Sequence, residues 1–278
     1  MRQTTMEKNQ HLGQILSGMD RVLVAFSGGV DSTLVLKRAE EELGAENVLA
    51  AVVASELFRE EEFDGAVKLA EEMGIPVLKT EIKELEDENI IENTPDSWYY
   101  SKKLLYSHLN KLAEEKGYNY VLDGMIMDDM DDFRPGLKAR TEAGARSVLQ
   151  EAQLYKQEVR ELTRELNIPV WNKPASCSLA SRIPYGTKLD KTKISQVDQA
   201  EKFIIRLGFD MVRVRHHGDV ARIEVTPENA ANLLEHKDEI QLKLQELGFH
   251  YVSVDLGGYR TGSMNEVLPA DTTSAKIS

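Results

Sequence analysis

The stretch RVLVAFSGGVDSTLVLKRAEEELG, residues 21–44, constrains the fold more than any other part of the chain. Its first six residues are apolar at nearly every position and too few for a helix, which reads as a strand buried on both faces. Two glycines and a serine follow at once, and then a helical pattern that stops at Gly44. A strand that turns directly into a helix is the first half of a βαβ unit. A strand without a polar face needs helices on both sides of its sheet.

The same alternation continues along the chain. VLAAVVA (48–54), IPVLKT (75–80), NYVLDG (119–124) and IPVWN (168–172) read as further buried strands. Between them, residues 60–73 place Phe63, Val67, Ala70 and Met73 at helical spacing and stop at Gly74, with Pro76 just beyond. Residues 96–116 do the same with Leu105, Leu109 and Leu112, ending at Gly117. This order predicts an α/β fold: a parallel sheet with helices on both faces, whose ligand site lies beyond the carboxyl ends of the strands.

After Gly186 the pattern changes. Residues 190–207 read as a connecting helix, and FDMVRVRHHGDVARIEV alternates apolar and polar residues around a Gly-Asp turn, as a hairpin does. Val212 and Val214 share one face, and Arg213 and Arg215 the other, with Arg222 and Glu224 on the return strand. A helical stretch (227–247) and YVSVDLG complete a small α+β domain that ends in GGYRTGSMN, with Arg260. The expected division is residues 1–186 and 187–278. His216 and His217 adjoin in a strand and point to opposite faces, so they are poorly placed to chelate one ion.

Charge narrows the partners. The 34 Lys and Arg against 47 Asp and Glu leave a net charge of −13, which repels a nucleic-acid backbone and favours small ligands in locally basic pockets. No run is long enough to span a bilayer, and the polar MRQTTMEKNQ lacks the apolar core of a secretory signal. The expectation is a soluble cytoplasmic protein with no membrane partner.

The glycine turn itself is a candidate phosphate site. Gly28 and Gly29 permit backbone angles and close approaches that other residues forbid, so successive N–H groups can converge at the positive end of a helix. Hydroxyls of Ser27, Ser32 and Thr33 add donors. The spacing is neither that of a Walker loop nor GxGxxG. The hexapeptide SGGVDS resembles the SGGxDS signature of the PP-loop ATP pyrophosphatases, which cleave ATP between the α and β phosphates and adenylate a carboxylate or carbonyl oxygen. The resemblance implies that Ser27, Gly28, Gly29, Asp31 and Ser32 hold pyrophosphate. It implies as well that Ser55, with Glu56 after the second strand, meets adenine and ribose. DGMIMDDMDDFRPG (123–136) resembles the family's DGTNxDD-type segment, departing from it at Met125 and Met127. It places Gly124 at the nucleotide and offers Asp123, Asp128, Asp129 and Asp132 as ligands for Mg²⁺ or Mn²⁺. A solvated acidic loop is the competing reading of each aspartate.

The chain has one cysteine. A lone cysteine is ordinarily a packing residue, yet Cys177 lies in NKPASCSLASRIPYGT, a serine-rich loop between Pro174 and Pro184 with Lys173 and Arg182 close by in sequence. Cationic neighbours favour the thiolate, the nucleophilic form. Without a second cysteine, a resolving-thiol persulfide carrier, a CxxC zinc site and a thiolate-held iron–sulfur cluster are excluded.

From SGGVDST through NTPDSWYYSKKLLYS, RPGLKAR, GARSVLQEA, NKPASCSLASRIPYGT and VRVR to DLGGYRTGSMN, the chain is similar to one branch of the PP-loop enzymes. These are the ATP-dependent sacrificial sulfur transferases that serve the nickel-pincer nucleotide cofactor of lactate racemase. This resemblance implies a pyridinium mononucleotide substrate with two carboxylates, ATP, and Cys177 as nucleophile and sulfur donor. It further implies Arg213 and Arg215 on substrate phosphate, with Arg182 and Arg260 as further anion contacts. Trp98 would stack on the pyridinium ring or, like most aromatic residues at helix starts, pack into a core. Glu201 is the candidate base for the cysteine Cα proton, and a homo-oligomer is expected. Two rivals stand beside this reading: an amide-forming PP-loop synthetase that uses ammonia and needs no cysteine, and an ATP-binding regulatory module with a redox-active Cys177. A tRNA thiolase is disfavoured by the acidic balance and the missing second cysteine.

Overall fold

The computed structural model describes residues 4–130, 136–174, 176–260 and 262–268. Asp132, one of the four aspartates expected near the metal, lies outside the described residues. The chain forms two compact units, Met1–Glu84 with Trp98–Ser176, and Leu85–Ser97 with Cys177–Ser278.

The first unit runs α1 (Thr5–Ser17), β1 (Val22–Ala25), α2 (Val30–Leu43), β2 (Val48–Ala54), α3 (Glu60–Glu72) and β3 (Val77–Glu81). After α4 (Glu88–Ile91), a segment of the second unit, it continues with α5 (Ser97–Lys116), β4 (Tyr120–Leu122), α6 (Gly136–Ala143), α7 (Val148–Glu151) and α8 (Lys156–Glu165). The four strands are all parallel, in the order β3-β2-β1-β4. Residues alternate across the sheet. Val22 and Val24 of β1 pack with α1, α2, α3, α7 and α8, while Leu23 packs on the other face with Tyr106, Leu109 and Ala113 of α5. Helices on both faces are therefore what the unbroken apolar strands require. The chain leaves β1 toward β2 on one side and returns to β4 on the other, so a crevice opens at the carboxyl ends of β1 and β4, the usual ligand position in such sheets.

The expected strand at 168–172 does not form. Asn167 takes a left-handed φ of +55°, its N–H reaches the Arg164 carbonyl at 3.1 Å, and the Ile168 N–H reaches Thr163 at 2.9 Å. This is a Schellman ending of α8, with buried Ile168 as its hydrophobic plug. The place beside β4 is taken by a parallel bridge from Leu122 to Arg146. An apolar run of five cannot be told from a helix cap by pattern alone.

The second unit contains α9 (Lys191–Arg206), β5 (Val212–His217), β6 (Val220–Val225), α10 (Ala230–Glu235), α11 (Lys237–Glu246) and β7 (Tyr251–Val254). The hairpin β5–β6 forms as its alternation predicts, and β7 adds parallel to β6. Ile204, Val212, Val214, Ile223, Leu244 and Phe249 make its core. Residues 177–186, drawn with the first domain from the sequence, make their bonds inside this unit: the Asn93 amide donates to the Ile183 and Pro184 carbonyls at 3.1 and 3.0 Å. Among the described residues no helix is long and apolar enough to cross a membrane.

Candidate active site

The glycine turn sits at the carboxyl end of β1 and leads into α2. Gly28 has φ +65°, and a Cβ there would lie 2.9 Å from the Ala66 Cα and 3.0 Å from its Cβ. Only glycine fits. Gly29 differs from its expectation: its φ of −83° suits any residue, and an added Cβ would meet only the Ser27 hydroxyl at 3.3 Å. Gly29 is the N-cap of α2 and offers no side-chain acceptor, so no side chain caps the amides of the first turn; the Gly29 N–H itself donates to Ser27 Oγ at 3.4 Å. Ser27 and Ser32 face each other, Oγ to Oγ, at 3.1 Å, and Ser32 Oγ also accepts from the Ser27 N–H at 3.3 Å. Thr33 Oγ1 is taken by the Gly29 carbonyl at 2.7 Å. The backbone of Gly124, after β4, presses on this turn: a Cβ there would stand 2.7 Å from the Ser32 nitrogen. Ser27, Gly28, Gly29, Ser32 and Gly124 therefore form one amide-lined cradle, which suits a polyphosphate.

Cations gather at its rim. The Lys156 ammonium holds both oxygens of Asp31 at 2.7 and 2.8 Å. Burial pushes the Asp31 carboxyl up from its ordinary value, against the opposing pull of Lys156. The Lys173 ammonium donates to the Gly28 carbonyl at 3.0 Å. Arg160 donates to the Trp171 carbonyl at 2.8 Å. Lys156, Arg160, Arg164 and Trp171 line a cleft of about 480 Å³.

Ser55 follows β2 at the same end of the sheet. Its hydroxyl donates to Glu84 and accepts from the Leu57 N–H, and Glu56 accepts the Glu84 N–H at 3.0 Å. Glu84, 1% exposed, thus fixes the turn expected to meet the nucleotide.

The aspartates expected to bind metal have other partners. Asp123, 5% exposed, accepts from the Tyr106 hydroxyl at 2.6 Å on one oxygen. Its other oxygen accepts from Ser147 Oγ at 2.6 Å and the Met125 N–H at 3.1 Å. That network pins β4 and corrects its expected place as a ligand. Burial, with the Asp123 charge next, drives the Tyr106 hydroxyl well above its ordinary range, so it stays a donor. Asp128 accepts the Lys156 N–H at 2.8 Å, and Asp129 the Ile126 N–H at 2.9 Å. Among the described residues no three His, Cys, Asp or Glu side chains converge on a metal position. A hard cation beside ATP draws most of its ligands from phosphate oxygens and water and needs only one or two carboxylates. Asp123, with both oxygens engaged, leaves no room for that.

In the second unit, Cys177 is an exposed free thiol. Its loop is anchored by Arg182, 3% exposed, whose guanidinium donates to the Cys177 and Ser178 carbonyls at 3.1 and 3.0 Å. The same group makes a bidentate pair with Glu201 at 2.9 and 3.0 Å. Glu201 is fully buried and accepts the Val214 N–H as well, at 2.9 Å. Two expectations are corrected here. A sealed carboxylate engaged on both oxygens is not poised to remove a proton, and a guanidinium committed to Glu201 and two carbonyls is not a substrate contact. Together they are the fastener of the cysteine loop.

Arg213 is held differently. It donates to its neighbour's carbonyl, Val212 O, at 2.7 Å, its guanidinium lies 5.3 Å from the Tyr259 ring centre, and among the described residues it has no carboxylate partner. Burial, with the nearby Arg182 charge second, pushes its pKa down, and the Cys177 sulfur lies within its field. A half-buried, unpaired arginine is destabilised until an anion arrives. Arg215, by contrast, pairs with Glu224 at 2.7 Å and donates to Ser181 O and Ser263 Oγ, with its Nε buried and unpartnered. Arg260 pairs with Glu266 through two bonds of 3.0 Å. Both are committed within the protein. Trp98 is the second residue of α5, in the first unit, and half-buried. Arg213→Met is expected to raise the KM for an anionic substrate about 10- to 100-fold while leaving the melting temperature within about 2 °C, whereas Arg215→Met lowers the melting temperature. Steady-state kinetics and thermal melts on both variants check this.

Sequence reasoning missed Glu84, Lys156 and Arg160. None stands in a glycine or serine motif, and Glu84 comes 29 residues after the serine it holds. The profile of the NAD synthase family matches residues 9–97, the span that carries the glycine turn of the cradle but not Gly124. The chain is 54% identical over 265 residues to the pyridinium-3,5-bisthiocarboxylic acid mononucleotide synthase of Lactiplantibacillus plantarum, covering 95% of this chain and 96% of that one. It is 40% identical over 263 residues to an uncharacterized protein of Synechocystis sp., covering 94% and 98%. To an uncharacterized protein of Methanocaldococcus jannaschii it is 26% identical over 241 residues, covering 87% and 91%. Because the 54% identity is measured over 95% of the chain and so spans both units, the chain belongs to the pyridinium-3,5-bisthiocarboxylic acid mononucleotide synthase family of PP-loop, ATP-using enzymes.

Proposed function

We propose that the chain inserts sulfur into a carboxylate of pyridinium-3,5-biscarboxylic acid mononucleotide at the expense of ATP and of its own Cys177. A carboxylate is a poor acyl donor, so the first step transfers AMP to a carboxylate oxygen and releases pyrophosphate. The amides at Gly28, Gly29 and Asp31 and the hydroxyls of Ser27 and Ser32 hold the phosphates and stabilise the charge that develops on the leaving group. A divalent ion, Mg²⁺ or Mn²⁺, when bound beside Asp128 and Asp129, neutralises phosphate charge.

The Cys177 thiolate then attacks the acyl carbon. The C–O bond to AMP breaks, AMP leaves with the electron pair, and a thioester joins substrate to protein. Transfer of the Cys177 Cα proton to a general base and cleavage of its Cβ–S bond, with the electron pair leaving on sulfur, give dehydroalanine in the chain, and the thiocarboxylate departs with the sulfur. One cysteine per chain means one sulfur per chain, so a product with two thiocarboxylates consumes two copies. Arg213 binds the substrate's phosphate, and Trp98 stacks on its cationic ring. The enzyme works in the cytoplasm and assembles as a homo-oligomer through the second unit, where Leu234, Leu242 and Tyr251 are exposed.

The observation that carries this reading is the exposed thiol of Cys177 on a backbone fixed by the buried Arg182–Glu201 pair. Incubation with ATP, Mg²⁺ and the dicarboxylated nucleotide is expected to lower the intact protein mass by about 34 Da, the mass of H₂S, at Cys177. Product formed at unchanged mass would move the sulfur source elsewhere. Turnover by Cys177→Ala would favour an amide-forming synthetase, and a lack of pyrophosphate release with every substrate would favour a nucleotide-binding module.

A further inference from the structure

We infer that Lys173 is a catalytic residue of the adenylation step, a cation that binds the departing pyrophosphate and that Arg160 positions. The inference rests on the proposed adenylation and adds a residue to it. Lysine ammonium groups at a protein surface usually either pair with a carboxylate or extend into water. Among the described residues Lys173 does neither: it is half-buried and lies against the carbonyl of Gly28, the residue whose left-handed turn shapes the cradle.

Its placement is built into the fold. The Schellman ending of α8 turns the chain back at Asn167, and the Lys173 N–H closes a further turn on the Val170 carbonyl at 2.9 Å. Arg160, two turns up α8 from that ending, donates to the Trp171 carbonyl at 2.8 Å and reaches the Lys173 carbonyl at 3.4 Å. Neither Arg160 nor Lys173 has a carboxylate partner among the described residues, and the field of Arg160 reaches Asp31 in the loop. Lys156 is already neutralised by Asp31. Two positive charges with no carboxylate partner among the described residues therefore bear on the cradle in a chain whose net charge is −13. The ligand they fit is a small polyanion with charge at its terminal end. Pyrophosphate gains negative charge as the α–β bond breaks, so a fixed ammonium at this rim stabilises the transition state more than the ground state. A single carbonyl acceptor leaves two of the ammonium's three protons for phosphate oxygens.

The test titrates inorganic pyrophosphate into the full chain by calorimetry, with AMP as a second ligand, for the wild type, Lys173→Met and Lys173→Arg. Lys173→Met is expected to raise the pyrophosphate Kd about 10- to 100-fold and to leave the AMP Kd within about twofold. Lys173→Arg, which keeps the charge, recovers most of the loss. A merely structural lysine would weaken AMP and pyrophosphate together and would lower the melting temperature. Pyrophosphate binding by Lys173→Met equal to wild type overturns the inference, as does failure of the wild type to bind pyrophosphate. The mass-loss assay keeps the two readings apart. A wild-type chain that binds pyrophosphate through Lys173 but never loses about 34 Da refutes sulfur donation and leaves the anion site standing. Lys173→Met losing that mass at the wild-type rate refutes the role of Lys173 and leaves sulfur donation standing.

Discussion

Glu201→Ala is expected to destabilise the second unit by about 3–5 kcal/mol, a fall in melting temperature on the order of 10–20 °C. The cause is the charge left behind. The Arg182 side chain is 3% exposed, and Glu201 is the carboxylate that compensates it. Removing one partner of a buried pair costs far more than the pair contributes, because the remaining ion keeps its desolvation penalty. The variant loses the Val214 N–H acceptor too, which loosens β5 against α9. The double variant Arg182→Met, Glu201→Leu removes both charges and is expected to recover most of the stability. It does not recover sulfur transfer, since the guanidinium that ties the Cys177 and Ser178 carbonyls together is gone. Glu201→Gln separates the two roles once assigned to this residue. A base makes Gln accumulate the thioester, seen as a covalent mass adduct, whereas a fastener makes thioester formation and thiocarboxylate release decline together. A melting temperature for Glu201→Ala within 2 °C of the wild type would sink the structural assignment.

Gly28→Ala is expected to abolish measurable pyrophosphate binding, a weakening of at least about 100-fold, and to cost roughly 1–3 kcal/mol of stability from the strained φ alone. The new Cβ would meet the backbone of α3 at 2.9 Å, and relief requires the loop to move off the helix, which disperses the amides that form the cradle. Ala66→Gly does not rescue it, because the closest blocking atom is the Ala66 Cα and glycine keeps that atom. Gly29→Ala is the control. With φ −83° and only a hydroxyl at 3.3 Å, it is expected to retain binding within about fivefold, as ordinary surface substitutions do. Equal behaviour of the two alanine variants, by calorimetry and thermal melts, would contradict the distinct duties given to these neighbours.

What the sequence determined by itself is local and periodic. The strand of β1, its glycine turn, the helix stops at Gly44, Gly74 and Gly117 and the arginine hairpin were all legible, because each is dictated by neighbours within a few residues. The lone cysteine in a polar loop was legible for the same reason. The tertiary structure decided which polar groups are available for chemistry. Seven residues of similar appearance, Arg182, Arg213, Arg215, Arg260, Asp123, Asp128 and Glu201, separate only when their partners are known. Arg182 and Glu201 are spent on each other, Asp123 on Tyr106 and Ser147, and Arg215 on Glu224, while Arg213 faces a ring and, among the described residues, no carboxylate. The partners of Arg182, Asp123 and Arg215 lie from 9 to 24 residues away in sequence, and Lys173 finds Gly28 across 145. A charge reads the same in a sequence whether it is compensated or not. Compensation is set by distance in space, and only the packed chain fixes that.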